Sequence, residues 1–381
     1  MKKYFLSIIT VFSLLAAPLC AFEWGGIIKN NTSILSSDFE NYTYDQSDAL
    51  FMWISLPITK DNHIHFDAEA MYKFKLTADA DETLVVHDID IDLCKITGDY
   101  YFGPGLFSFS AGRFFAFDAT QVLLAQLVDG VQVTYDLSWI KFDFLLAYTG
   151  ALNAITEPMV SENGIVTPVS NQIYSLNYPY LPLKFNITFP VLFGNQEIAL
   201  EGIALYDFSV SKANRYYANL CLSGPIFNVL FYKFSTSLGT YDFESMMNYT
   251  CFDVYLLNKS AVSFVFGGEY SSGIYGPMIE YRTISSRIAC NARDNPETSG
   301  LIIPSLGLSF QSESIYSELR AKCIMSLPDE NFSFKGAEAD LNFTYNVYSD
   351  LQFSITSFYY YDLTDEKSNN FAASLGAAIA F

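Results

Sequence analysis

The chain has 381 residues, with 41 Asp+Glu against 21 Lys+Arg, 51% hydrophobic residues, 27 Tyr and 34 Phe. Its mean hydropathy of +0.19 is too high for an ordinary secreted domain of this charge. Its acidity, with no basic patch and no phosphate-binding glycine loop, speaks against nucleic-acid and nucleotide partners. After residue 21 no run of 18 or more uncharged apolar residues occurs, so a membrane span has to be built from strands rather than helices.

Met1 to Ala21 reads as a cleaved secretory signal peptide: Lys2 and Lys3 precede Tyr4 to Ala17, an apolar run too short to cross a bilayer. Residues 22–381 are then expected to form a single domain carrying 19 basic and 41 acidic side chains, a formal charge of -22. A first strand is expected at once, in Glu23-Trp-Gly-Gly-Ile-Ile28, which leaves no room for an N-terminal plug. A longer polar connection, rich in carboxylates, is expected at 36–48.

From 62 to 76, Ile64, Phe66, Tyr72 and Phe74 alternate with His63, His65, Asp67, Glu69, Lys73 and Lys75. Side chains of a strand point to opposite faces at period 2, so this is one strand with an apolar and a charged side. Residues 83–95 repeat the pattern, with Val85, Ile89, Ile91 and Leu93 opposed to Asp88, Asp90 and Asp92, and Lys73 is placed to face Asp88 as a ladder pair. His63, His65, Asp67 and Glu69 share a face but are ordinary polar lining, so no metal and no other cofactor is expected. With three histidines and no nucleophile-base arrangement, enzyme chemistry is not indicated.

Between Arg113 and Asp129 the alternation lapses. Val122, Leu123 and Leu127 fall at helical spacing, which predicts a short helix over 120–127 with Asp118 as its cap. Alternating segments resume at 130–149, 196–210, 216–222, 226–238, 337–348 and 351–361, separated by turn signals such as Ser223-Gly-Pro225 and Tyr348-Ser-Asp350. Short links alternate with longer ones, including 150–182, as in a barrel with tight turns at one end. Strands plus links of roughly 20 residues give about 18 strands, with 16 as runner-up. The fold class is therefore all-β, a transmembrane antiparallel β-barrel.

The last eleven residues place Phe371, Leu375, Ile379 and Phe381 on one side and small residues on the other. Ending on such a strand resembles the C-terminal insertion signal of bacterial outer-membrane β-barrels. The resemblance implies residence in the bacterial outer membrane, contact with its lipid, and handling by periplasmic chaperones and the barrel-assembly machinery. Around the lapse in alternation, Gly112-Arg113 and Asp129-Gly130 resemble the porin superfamily layout, in which a Gly-Arg ends one strand, an outer loop folds into the lumen, and an Asp-Gly opens the next strand. The resemblance implies a constriction loop carrying Asp118, Thr120, Gln121 and Gln126.

Strand parity opposes Asp67, Glu69, Asp88, Asp90, Asp92 and Asp143 to apolar neighbours, which makes them lumen lining if the apolar face meets lipid. Lys73, Lys75 and Arg113 carry the opposite charge among these lining candidates. A wall with an excess of one sign concentrates counter-ions, so the expected function is a porin-like channel for passive diffusion of small hydrophilic solutes or ions, with cations preferred. The alternatives are a facilitator for apolar solutes, which the charged faces at 62–76 and 83–95 oppose, and a surface-exposed structural or adhesin barrel. A homo-oligomer is compatible with any of them.

Overall fold

The computed structural model describes residues 22–36, 39–59, 61, 63–79, 82–149, 152–154, 174–176, 180–208, 212, 214–227, 229–257, 261–285, 300–327, 333–364 and 369–381. The expected signal segment at 1–21 lies outside them. Eighteen strands form one antiparallel sheet. They are β1 Glu23–Ser36, β2 Thr43–Pro57, β3 Ile64–Ala78, β4 Thr83–Phe102, β5 Gly105–Phe117, β6 Ala125–Leu137, β7 Ile140–Tyr148, β10 Tyr180–Phe189, β11 Glu197–Asp207, β12 Arg215–Ile226, β13 Leu230–Thr240, β14 Met247–Leu257, β15 Val262–Ser271, β16 Leu301–Gln311, β17 Ile315–Ser326, β18 Ser333–Asn346, β19 Leu351–Asp362 and β20 Asn370–Ala380. Two further short strands, β8 Leu152–Ala154 and β9 Tyr174–Leu176, pair only with each other in the connection between β7 and β10.

Each barrel strand pairs with the next, and β7 pairs with β10 across the small ribbon. The sheet closes because β20 pairs with β1, from Ile27 opposite Ala380 to Ser36 opposite Phe371. At the end of that ladder Gly26 and Phe381 exchange both backbone hydrogen bonds, each 3.0 Å. The Phe381 ring occupies the space that a side chain at residue 26 would need, which is why glycine stands there.

The alternation expected from sequence is the organising feature. Leu200, Phe264, Leu306 and Leu375 point outward and are exposed, with large apolar neighbours all around the wall. An apolar outer face of this extent, interrupted on β1 and β2 where Asn30 and Gln46 donate to Asp48, is stable against hydrocarbon and not against water, so the barrel spans a membrane. No helix among the described residues is long and apolar enough to cross one; the strands do so. One end has short turns, such as 103–104 and 138–139, and the other carries the two long connections, 149–179 and 272–300.

Three expectations need correction. The polar connection expected at 36–48 shrinks to 37–42, because Thr43 to Asp48 already pair with Leu35 to Asn30 of β1 and so place Asp45 and Asp48 in a strand. The helix expected at 120–127 is absent: β5 runs on to Phe117, β6 starts at Ala125, and the 118–124 link is a tight turn. Continued ladder bonding, in which Phe115 faces Leu127 and Phe117 faces Ala125, leaves too few residues for a helix. Gln126, assigned to a constriction loop, consequently lies in β6 opposite Ala116.

Candidate functional site

The lumen is partly filled by two inward segments, the 118–124 turn and residues 272–285 after β15. Asp118 folds the first. Its carboxylate accepts from the amides of Thr120 (2.8 Å) and Leu124 (2.8 Å) and from the Thr120 hydroxyl, while its own amide donates to the Leu124 carbonyl at 3.0 Å. Asp118 thus closes a turn rather than capping a helix, and Gln121 sits in the left-handed region at φ 59. Burial pushes the Asp118 carboxyl above the ordinary carboxylate range. The turn is anchored to the wall where the Ala119 amide donates to Glu201 at 3.0 Å.

The second segment docks on the first. The amides of Ile284 and Ser285 donate to the Leu123 carbonyl at 2.8 and 3.1 Å. From the wall, Arg215 donates to the Thr283 carbonyl at 2.7 Å, Tyr217 to the Arg282 carbonyl at 2.7 Å, and the Tyr281 hydroxyl reaches back to Ser237 at 3.0 Å. Leu123, Leu124 and Ile284 are completely buried, in one cluster with Leu145, Leu205, Tyr217, Met247, Tyr249, Tyr281, Leu301, Ile303 and Ile324. Tyr281 lies 5.6 Å from Tyr249 and 6.3 Å, edge-on, from Tyr217 between ring centres. The lumen therefore holds an apolar centre of its own, which packing stabilises as in a soluble core.

Below and around this centre the wall carries charge in paired sets. Lys184 donates to the Phe117 carbonyl at 2.9 Å, meets Asp143 at 2.9 Å and lies 3.9 Å from Glu201. Gln132 and Thr134 also donate to Asp143. Lys322 bridges Glu338 (2.7 Å) and Asp340 (2.5 Å), and Arg320 pairs with Asp253 at 2.5 Å. The Lys184 and Lys322 sets are buried, and charges of opposite sign held in contact offset much of the cost of leaving water; the Arg320–Asp253 pair is partly exposed.

Of the residues singled out from sequence, Arg113 sits between Asp90 (3.8 Å) and Asp129 (3.7 Å). Asp67 accepts from Ser55 and Thr97. Lys73 is the register partner of Asp88 and Lys75 that of Val86, on the strand face shared with Glu69. Asp88 and Asp90 are 1% and 0% exposed, so these two carboxylates support the wall more than they meet solvent. The parity expected for 83–95 does not run through: a bulge in β4 between Asp90 and Leu93 makes Leu93, expected on the apolar face, the register partner of Glu69, and Asp92 lies within that bulge. Asp143 belongs to the Lys184 set. His63 stacks on Tyr100 and lies 3.5 Å from Asp61; among the described residues no group of three His, Cys, Asp or Glu side chains is arranged to hold a metal.

Sequence reasoning missed Lys184, Arg320 and Lys322 as pairing partners and the 272–285 segment altogether. The inward parity of the three cations was readable, since each sits between outward apolar or small neighbours. The segment had no periodicity to read, because its bonds go to Leu123, to wall side chains, to the backbone of Met246 and Asn248 and to itself, and form no regular ladder.

No protein-family model and no curated protein matches the chain. Solved structures do. OccK5 (OpdH) of Pseudomonas aeruginosa superposes with a TM-score of 0.65 at 9% identity, covering 95% of this chain and 98% of that one. The outer membrane protein OpdK of the same organism gives 0.64 at 10% identity over 94% and 99%, and OccAB4 of Acinetobacter baumannii gives 0.63 at 11% over 96% and 99%. At this identity the likeness is one of fold: an 18-stranded barrel over nearly the whole length of each chain.

Proposed function

We propose that this chain is a non-catalytic channel of the bacterial outer membrane through which small hydrophilic solutes diffuse passively, with a preference for cations. The observation that carries the reading is the contrast of the two barrel faces: apolar and exposed outside, charged, polar and only partly filled inside. A charged wall favours hydrated solutes over apolar ones, which weighs against the facilitator reading. Cation preference is supported by the inward carboxylates that keep contact with solvent, Asp67 and Glu69 among them, within a mature chain of formal charge -22. The residues argued to set it are Asp67, Glu69 and Asp143, with Asp88, Asp90 and Asp92 behind them and Lys73, Lys75 and Arg113 opposing. Insertion is expected to use the periplasmic chaperones and assembly machinery that read a terminal aromatic strand.

The test is the purified barrel in a planar bilayer under a salt gradient. Discrete conductance steps with a reversal potential of the sign set by cation flow are expected. Absence of steps, in protein whose compact fold is shown by its mobility on unheated gels, overturns the channel; a reversal potential of anion sign overturns the preference alone.

A further inference from the structure

The inward segments do not sit centrally. At their level, toward the long-connection end, every barrel strand from β4 round to β19 contributes at least one buried inward residue: Asp88, Val128, Leu205, Met247, Ile324 and Tyr360 mark the circuit, none more than 6% exposed. The inward residues of β20, β1 and β2 at the same level, such as Ser374, Ser33 and Ser47, are not buried, and neither are Lys73 and Lys75 on the upper part of β3. Apolar side chains of the two segments thus press against most of the wall and leave the remaining arc uncovered.

We propose that solutes cross this barrel along its closing seam, between the inward segments and the wall formed by β20, β1, β2 and the upper part of β3. The inference rests on the channel reading above and assigns the path within it. Two features of the seam fit a passage. Its inward residues on β20 are small: the Ser374 hydroxyl meets Thr356 at 2.5 Å, and a side chain at Gly376 would collide with Ser354. A wall of Ala, Ser and Gly therefore stands back from the lumen where the opposite wall is filled. The arc also carries both signs of charge, Lys29, Lys73 and Lys75 with Asp45, whose carboxylate is held by the Thr77 hydroxyl. A solute passing the apolar centre meets these side chains and not Asp88 or Asp90.

Strain is not needed to keep the path on this side. The clip from Arg215 and Tyr217 to residues 282 and 283 comes from β12, which faces away from the seam in strand order. Pulling the segment toward β12 holds it off the seam.

The test uses the full chain with its native cysteines replaced by serine and single cysteines introduced one at a time, S374C and S47C on the seam and S237C on the covered wall. Each barrel is reconstituted in a planar bilayer and exposed to a bulky hydrophilic methanethiosulfonate, and labelling is verified by mass. We expect S374C and S47C to be labelled and single-channel conductance to fall by about twofold or more, because the added group narrows the resistance-setting part of the path. S237C, at 0% exposure in the parent residue, should stay unlabelled with conductance unchanged. A second variant, S47W, should lower conductance without any reagent. Labelled seam cysteines with unchanged conductance, or block through S237C alone, would overturn the seam path while leaving the channel intact. A parent barrel with no conductance steps at all would overturn the channel and the path together.

Discussion

Arg113 and Asp129 stand opposite one another in register across β5 and β6, with Nη1 3.7 Å from Oδ2, and the glycines beside them, Gly112 and Gly130, face each other one step along. Gly112 holds φ at 130, a backbone region that side chains disfavour, and a Cβ there would strike the Cys94 carbonyl. A Cβ on Gly130 would strike the Leu146 carbonyl. The two dipeptides thus stand side by side in the ladder: Gly112 lets β5 lie close against β4 and Gly130 lets β6 lie close against β7, while the flanking Arg113 and Asp129 face each other just before the chain turns inward at Asp118.

Replacing Arg113 by Met removes the cation from Asp90, which is fully buried. Breaking a buried pair in this way costs about 3–5 kcal/mol. The temperature at which the compact gel form is lost should drop in R113M and recover in part in R113M/D90N. An unchanged transition in the single variant would show that the pair contributes nothing to holding the wall.

Removing the apolar contacts between the inward segments should open the lumen. Y281A/I284A takes two buried side chains from the cluster around Leu123, and single-channel conductance should rise, with larger current noise as the segment loses its dock. Conductance equal to the parent's would mean that the 272–285 segment does not set the resistance.

The lumen carboxylates should differ in weight. Asp67 and Glu69 keep contact with solvent, whereas Asp88 and Asp90 are sealed, and a sealed charge that is partnered contributes little to the ion atmosphere of the path. D67N/E69Q should move the reversal potential toward zero by more than D88N/D90N/D92N does. The reverse order would relocate the selective step to β4.

Closure of the barrel should depend on its last residue. Deleting Phe381 removes both backbone bonds to Gly26 and the ring seated on it, and G26V displaces that ring while keeping the bonds. Both variants should be exported, with Phe381 deletion giving the larger loss of the heat-modifiable form. Deletion of 371–381 should abolish that form, because two strand edges would then face lipid with unsatisfied backbone groups. Wild-type resistance to unheated detergent in that truncation would refute the closing role of β20.

The wall of this barrel could be read from the chain because each wall residue has only two directions to point, and the apolar alternate positions at 64–74 or 371–381 declare which is which. The filling of the lumen could not. Leu123 and Ile284 are apolar residues in segments without alternation, far apart in sequence, and what brings them together is a pair of amides donating to one carbonyl. The helical spacing of Val122, Leu123 and Leu127 mixes two environments: Leu127 belongs to the ladder opposite Phe115, and Val122 and Leu123 to the buried cluster in the lumen. Asp118 was singled out as a cap and does bind free amides, with the chain turning back after it.

The pairing of β1 with β20 also has a consequence in time. Those two strands lie farthest apart in sequence of any pair in the sheet, so every other joint can close through a nearer connection while this one waits for the two ends of the sheet to meet. Until it forms, the sheet is an open ribbon with two raw margins, and the arc that stays uncovered in the finished barrel does not yet exist as a surface. The joint that removes the last exposed edges is therefore also the one that completes the wall of the proposed path.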